Sequence, residues 1–429
     1  MSNLSTSSLQ LLKKKRFLPV FLTMFLGSFN DNLFKNGLII LATFNSAYAT
    51  AMGTPQLAAL ASGIFVLPFF LFSSTAGQMA DKYEKSFLVR RLKYTELAFM
   101  LLAVAGFYLQ HTWFLVFVLF CMGAQSAFFG PIKYSILPDH LRQEELVAGN
   151  ALVEAATFLS ILFGTSMGGL VVMAPQGETI LSVLVLGVAV LGIVASRFIP
   201  QANPHSPELP MTANIVKSTA HVMSYAWENR PVFLCIVGIA WFWFVGATFV
   251  SQFPPYVRDH IGGNEEVVTV FLAAFSIGVA GGALLCGRVL KGEVSARTVP
   301  YAMVGVALSI AAVVLLSDAA HPPQGALMGA REFFMQSRNL LLFGALVMLA
   351  GCAGFVSVPL FAVMQSKSIP SHRARVISAS NITDALFMVT SSVLAMALLG
   401  AGASIPQLFA VVAGLCLPVA WILRGVEKA

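Results

Sequence analysis

The residues best suited to chemistry crowd together near the start of the chain: Asn30, Asp31 and Asn32, then Lys35 and Asn36. Apolar runs flank them, Phe17 to Phe29 before and Leu38 to Phe44 after. At 100° per residue, Ser28, Asp31, Asn32, Lys35 and Asn36 share a helix face about 140° wide. Asp31 and Lys35 are i,i+4 neighbours that an ion pair would join. A charge at bilayer depth costs about 2.5–3.5 kcal/mol on insertion scales. Pairing two charges lowers that cost but leaves a desolvation penalty. Two charges and three amides in apolar sequence therefore point to a substrate-binding face turned into a helix bundle.

Other polar residues recur at similar depth. Lys133 follows Phe128-Phe129-Gly130-Pro131-Ile132, where Pro131 is expected to break the fourth helix near its end. Lys133 either snorkels to the interface or meets a phosphate or an acidic side chain. Asn150, Glu154, Thr157, Gly164 and Gly168 share one face of the fifth helix, the glycines as a small-xxx-small packing pair. Asn381 and Asp384 suggest a second-half polar site on the eleventh helix. Glu96 stands one turn from Lys93, as a structural pair would. Trp241, Trp243 and Phe244 read either as an interfacial belt or as contacts for an acyl chain.

Only a helix bundle in lipid can position such residues. The chain has 429 residues, 57% of them hydrophobic and 10% charged. A soluble domain is about 25% charged, and mean hydropathy here is +0.81. Apolar windows long enough to span about 30 Å of hydrocarbon predict twelve helices, at 17–44, 56–79, 87–109, 113–135, 146–173, 180–199, 231–257, 267–290, 299–316, 339–364, 376–400 and 405–424. The apolar run after Lys13-Lys14-Lys15-Arg16 is not a signal peptide, because no small-residue cleavage site follows. The fold class is an all-α membrane protein in two six-helix halves. Of the 26 lysines and arginines, all but Lys35, Arg258, Arg331 and Arg338 fall at the termini or in the loops on their side. Both termini are thus expected in the cytoplasm. The net charge of +7 follows from this bias and needs no nucleic acid.

Pro200, Pro204, Pro207 and Pro210 interrupt the apolar pattern. The stretch from Met211 to Trp227 then reads as an amphipathic surface helix. This divides the chain into 1–199, a linker at 200–230, and 231–429. A weak internal echo suggests duplication: Pro138-Asp139-His140 leads to Asn150 as Pro370-Ser371-His372 leads to Asn381. The five cysteines lie in apolar segments without CxxC spacing, so no metal is expected. The stretch Gly282 to Gly287 lacks the Lys-Ser/Thr ending of a phosphate loop. No His-Asp pair has acyltransferase spacing, so no cofactor or enzymatic activity is expected.

Gly77-Gln78-Met79-Ala80-Asp81-Lys82-Tyr83-Glu84-Lys85 resembles the loop 2–3 signature of the major facilitator superfamily, with Glu84 where the family usually has Gly and Ser86 where it usually has a basic residue. Gly77, Asp81, Lys82 and Lys85 then form a conformational latch, Asp81 capping a helix or pairing with a cation. Residues 18–44, 77–93 and 128–157 together resemble the lysophospholipid transporters of the bacterial inner membrane, the LplT-like family of that superfamily. The most specific pieces are Phe129-Gly130-Pro131-Ile132-Lys133-Tyr134-Ser135-Ile136-Leu137-Pro138 and Gly149-Asn150-Ala151-Leu152-Val153-Glu154-Ala155. The wording is closest to the transporter module that some bacteria fuse to acyltransferase and acyl-ligase domains. No such domain follows before Ala429, so an acyltransferase partner is expected as a separate protein or a removed segment.

The resemblance implies flipping of lysophosphatidylethanolamine or lysophosphatidylglycerol from the outer to the inner leaflet for re-acylation. It implies lateral admission of the lipid between helices. It also implies substrate roles for Asp31, Asn32, Lys133, Asn150 and Glu154. A monomer is expected, with membrane lipids as its other contacts. The alternative is a proton-coupled exporter of drugs or metabolites on the same fold, with Asp31 and Glu154 carrying protons.

Overall fold

A computed structural model describes residues 8–48, 54–212, 214–317 and 327–428. Twelve helices of 19 residues or more dominate the described residues: α1 (Leu18–Phe44), α2 (Thr54–Lys82), α3 (Lys85–Tyr108), α4 (Thr112–Ser135), α5 (Leu146–Val172), α6 (Gly177–Arg197), α7 (Arg230–Tyr256), α8 (Glu265–Val289), α9 (Val299–Ser317), α10 (Ser337–Lys367), α11 (Arg373–Gly400) and α12 (Ile405–Leu423). Ten of these are both long and apolar enough to cross a membrane. The other two, α1 and α3, are those that carry Asn30-Asp31-Asn32 and the Arg90-to-Glu96 charges. Each predicted span matches one of these helices to within a few residues. The helices start where the sequence offers caps to their free N–H groups. Glu84 accepts from Ser86 N at 2.9 Å and Phe87 N at 2.6 Å to open α3. Asn264 Oδ1 accepts from Glu266 N at 2.9 Å to open α8. Ser404 and Gln407 cap α12 reciprocally.

Packing repeats across the halves. In the first half α1 lies on α5, α2 on α4, α3 on α4 and on α6. In the second, α7 lies on α11, α8 on α10, α9 on α10 and on α12. The halves meet where α2 packs on α11 and α5 on α8, itself a symmetric exchange. This places the Pro-x-His echo at equivalent corners, between α4 and α5 and between α10 and α11. Gly164 and Gly168 do form a packing face: a Cβ there would lie 2.6 Å from Phe29 O and 2.7 Å from Leu33 O, both on α1. Small residues let two backbones touch where lipid gives no hydrophobic drive.

Two expectations need correction. Pro131 does not break α4, which continues through it to Ser135. A proline so close to the helix end leaves only one turn beyond it and so disturbs few backbone bonds. The linker helix is shorter than expected, Ile215–Glu228, because Asn214 caps its start by accepting from Lys217 N at 2.9 Å.

The stretch before this helix is strapped to α2. Lys82 Nζ donates to Leu209 O at 2.9 Å, and Gln78 bonds both Thr212 and Ser218. Glu84 also accepts from Ala202 N at 2.9 Å. Burial raises the Glu84 carboxyl, and this bond together with those from Ser86 and Phe87 outweighs it, so the net direction is down. A glycine at 84 would lose both the cap and the tie to the linker.

Candidate functional site

The cluster on α1 divides by partner. Asp31 Oδ2 accepts from Ser126 Oγ of α4 at 2.6 Å, while its Oδ1 is buried without a hydrogen bond. Lys35 does not pair with Asp31. Its ammonium sits 5.4 Å from the centroid of the Phe65 ring on α2, an attraction that competes with the expected ion pair. Asn32 Nδ2 returns to Ser28 O at 2.8 Å. Asn36 Nδ2 donates to Thr165 O at 2.6 Å and so ties α1 to α5. Asn30 is fully buried on another face and donates to Glu96 at 3.0 Å.

Asp31, Asn32 and Lys35 open onto a cavity of about 310 Å³ between the halves. Polar walls come from Lys93 of α3, Gln125, Ser126 and Lys133 of α4, Thr157 of α5, and Asn381 and Asp384 of α11. Apolar walls come from Phe65 and Phe69 of α2, Phe129 of α4, Trp243 of α7, Phe361 of α10 and Met388 of α11. Lys133 Nζ donates to Thr157 Oγ1 at 2.7 Å and lies 5.1 Å from the Tyr134 ring centroid. Lys93 pairs with Glu96 at 2.6 Å, as its spacing suggests, yet it also reaches the cavity. Of the three aromatic residues expected to touch an acyl chain, only Trp243 lines this space. Trp241 points into the second half, where Nε1 donates to Cys416 Sγ at 3.3 Å, and Phe244 stacks on it.

Below the cavity the halves close on one another in layers. Tyr134 and Phe361 stack with centroids 4.1 Å apart and planes 5° apart. Tyr134 Oη donates to Glu154 at 3.5 Å, and the other Glu154 oxygen has no hydrogen bond. One helical turn on, Asn150 and Gln365 exchange two amide hydrogen bonds, at 2.7 and 3.0 Å. Asn150 and Glu154 therefore lie under the cavity floor rather than on its wall.

The outermost layer holds Asp81. It accepts from Ala374 N at 3.0 Å and Arg375 N at 3.3 Å, at the start of α11, and from Arg375 Nε at 2.9 Å. It thus caps a helix and pairs with a cation together. Gly77 makes that approach feasible, since a Cβ there would lie 2.9 Å from Arg375 Cα. Lys85 bonds Asp139 at 2.7 Å, and Arg373 stands 3.8 Å from the same carboxylate. Lys82 takes no part in this layer and holds the linker instead.

Sequence reasoning missed Gln365 and the cavity face of Lys93. Gln365 had a signal: it precedes Pro370 by the same five residues that separate Lys133 from Pro138.

A Major Facilitator Superfamily model matches residues 20–381. The lysophospholipid transporter LplT of Salmonella enteritidis PT4 (strain P125109) is 25% identical over 357 residues, covering 82% of this chain and 80% of that protein. The protein of the same name from Escherichia coli (strain SE11) is 25% identical over 351 residues, 81% of this chain and 79% of its own. Among solved structures, the human organic anion transporter MFSD10 (TETRAN) superposes with a TM-score of 0.71 at 14% identity, over 95% of this chain and 99% of that one. The transporter FucP in its outward conformation gives 0.69 at 13% identity, over 97% and 100%. These folds are those of transporters rather than enzymes. The chain belongs to the major facilitator superfamily and is a multi-pass membrane transporter of the bacterial inner membrane.

Proposed function

We propose that this transporter moves lysophospholipids, lysophosphatidylethanolamine or lysophosphatidylglycerol, from the outer to the inner leaflet, where a separate acyltransferase re-acylates them. The observation that carries the reading is the mixed character of the cavity. Lysines and carboxylates share it with Phe65, Phe69, Phe129 and Trp243, as a phosphodiester headgroup with an apolar neighbour requires. At about 310 Å³ it lies near the lower limit of ligand pockets, roughly 300–1,000 Å³. It therefore takes the headgroup, with Asn32, Lys35 and Lys133 around the phosphodiester and Asp31 facing the headgroup's N–H or O–H donors, and leaves the acyl chain outside. The chain's route is between α2 and α11, which both line the cavity. Their close approach is at Gly77, whereas a Cβ on Gly63 would meet nothing within 4 Å. The names of the LplT relatives support the same substrate.

The termini, the loop between α4 and α5, and the linker share the closed end. Arg16 bonds Glu145 at 2.7 Å, and Glu427 accepts from Ser295 Oγ at 2.8 Å. The lysine and arginine bias assigns that end to the cytoplasm. The conformation is then closed inward, with Asp81 as the latch, and alternating access requires that layer to part. A cysteine placed at Thr212 should react only with reagents inside the cell; external labelling would invert the topology. Leaflet-resolved uptake of labelled lysolipid into vesicles tests the function, and no uptake above protein-free vesicles overturns it.

A second reading draws on the free oxygens of Asp31, Glu154 and Asp384, which suit proton carriers in an ion-coupled exporter. Transport that rises steeply with an imposed proton gradient, and ignores lysolipid, would favour it.

A further inference from the structure

We infer that Asp384 and Asn381 form the seat of a primary ammonium group, so that the cavity favours an ethanolamine headgroup over a glycerol one. The inference rests on the lysophospholipid reading above and adds the headgroup it selects. Asp384 is 8% exposed, lines the cavity, and has one carboxylate oxygen, Oδ1, with no hydrogen bond. Asn381, one turn earlier on α11, also lines the cavity, and its Nδ2 is buried without an acceptor. The two stand i,i+3 and so share a face. Gly130 of α4 makes room for the amide, since a Cβ there would lie 2.6 Å from Asn381 Nδ2.

A buried carboxylate oxygen left without a donor is costly, and the protein's own cations do not relieve this one. Lys133 is turned to Thr157 and the Tyr134 ring, Lys35 to the Phe65 ring, and Lys93 to Glu96. The cavity therefore holds three cations on first-half helices with Asp31 among them, and a second unmet carboxylate, Asp384, apart from them on α11. A headgroup that complements both carries an anion and, two carbons away, an N–H-bearing cation. Phosphoethanolamine has that form: its phosphate faces the lysine wall, its ammonium donates to Asp384, and a phosphate or ester oxygen accepts from Asn381. A glycerol headgroup offers only neutral hydroxyl donors to the carboxylate, and charge-assisted hydrogen bonds are roughly twice as strong as neutral ones. A choline headgroup brings the charge without an N–H.

The test is leaflet-resolved uptake of lysophosphatidylethanolamine and lysophosphatidylglycerol by the wild-type protein and by Asp384→Asn, each in vesicles of the same lipid. The wild type should prefer the ethanolamine lipid by about tenfold, the worth of one charge-assisted bond. Asp384→Asn should lose most of that preference, its ethanolamine uptake falling about tenfold further than its glycerol uptake. A wild type that moves both lipids equally, or a variant that loses both in equal proportion as a coupling-ion site would, overturns the inference and leaves the lysolipid reading standing. A wild type that moves neither lipid overturns both. Should Asp384→Asn fail to insert, soluble glycerophosphoethanolamine and glycerophosphoglycerol can compete for uptake by the wild-type protein. Stronger inhibition by the amine supports the seat, and equal inhibition removes it.

Discussion

The cavity and the closed layers beneath it are built from the same residue types, Asp, Asn, Gln and Lys, yet they differ in how completely those groups are satisfied. In the two outer closed layers the partners cross between the halves, whereas Glu154, in the layer directly under the cavity, still has one oxygen without a hydrogen bond. Asn150 and Gln365 use both amides, and both Asp81 oxygens accept from the start of α11. In the cavity the inventory stops short: Asp31 Oδ1, Asp384 Oδ1 and Asn381 Nδ2 have no hydrogen bond. Buried polar groups are normally paired. A saturated set holds a conformation, and an unsaturated set leaves places for a ligand to fill. The contrast predicts opposite signatures on mutation: cavity changes should cost transport without stability, and changes in the closed layers should shift the conformational balance.

The largest effect is expected at Asp31. Asp31→Ala removes a buried charge whose one hydrogen bond among the described residues comes from Ser126, so the protein should insert and melt at or above the wild-type temperature. Uptake should fall about 10- to 100-fold if the lost group makes a charge-assisted contact to substrate. Uptake and thermal unfolding of the purified variant check this together. If stability falls in step with activity, Asp31 is a structural ion and the contrast between the two regions fails on its cavity side.

Asp81→Asn is expected to cost less. The amide oxygen can still accept from Ala374 N, but the charge facing Arg375 and the helix dipole is gone. The state in which this layer is closed loses its bias while the open state loses nothing, so the equilibrium shifts by that difference. Transport should slow about tenfold, with insertion intact and cysteines near Ser378 becoming more reactive. Wild-type rates and unchanged accessibility would make Asp81 an ordinary loop residue.

How far these regions could be read from sequence depended on the physics behind each residue. Ten of the long helices followed from apolar length, because lipid leaves the backbone no other partner. Asp31, Lys35 and Lys133 were legible because a charge in such a helix demands explanation. Asp81 was legible through its spacing to Gly77. Partner choice was not. Asp31 with Ser126, and Lys35 with Phe65, depend on how α1 meets α4 and α2, whereas i,i+4 spacing sees only one helix. For the same reason the sequence alone groups Asn150 and Glu154 with the binding residues: a helix face does not reveal at which level the opposite half closes over it. Trp241 and Trp243 differ by two residues, about 200° on a helix, and so face different neighbours.

A smaller effect is expected where two saturated partners are removed together. Asn150→Ala or Gln365→Ala alone strands the other amide in a buried layer, and the double variant removes both. Their coupling in thermal stability should be about 1 kcal/mol, with the double variant losing less than the two single losses added together. Additive losses would mean that the paired amides do not join α5 to α10, which would break the comparison on its closed side.

The smallest effect concerns pH and lies at the rim of the closed layers. Lys85 Nζ stands 3.1 Å from His205 Nδ1, and an ammonium can only donate. His205 is therefore neutral with Nδ1 as acceptor, and its Nε2–H faces Asp139 Oδ1 at 3.4 Å. Burial, with Lys85 beside it, holds this imidazole below its ordinary value. A group depressed in the closed state adds to that state's stability fully above its ordinary value and loses the contribution as pH falls through the depressed one. Acidification should then loosen the closed layer slightly, because a protonated ring cannot accept from Lys85 and the extra charge is offset only by Asp139. Solvent at this rim screens the effect. Cysteine accessibility at the closed layer, followed between pH 8 and pH 5, should rise modestly in the wild-type protein and stay flatter in His205→Gln. Identical curves for the two would assign the acid response to another group and leave His205 as part of the strap alone.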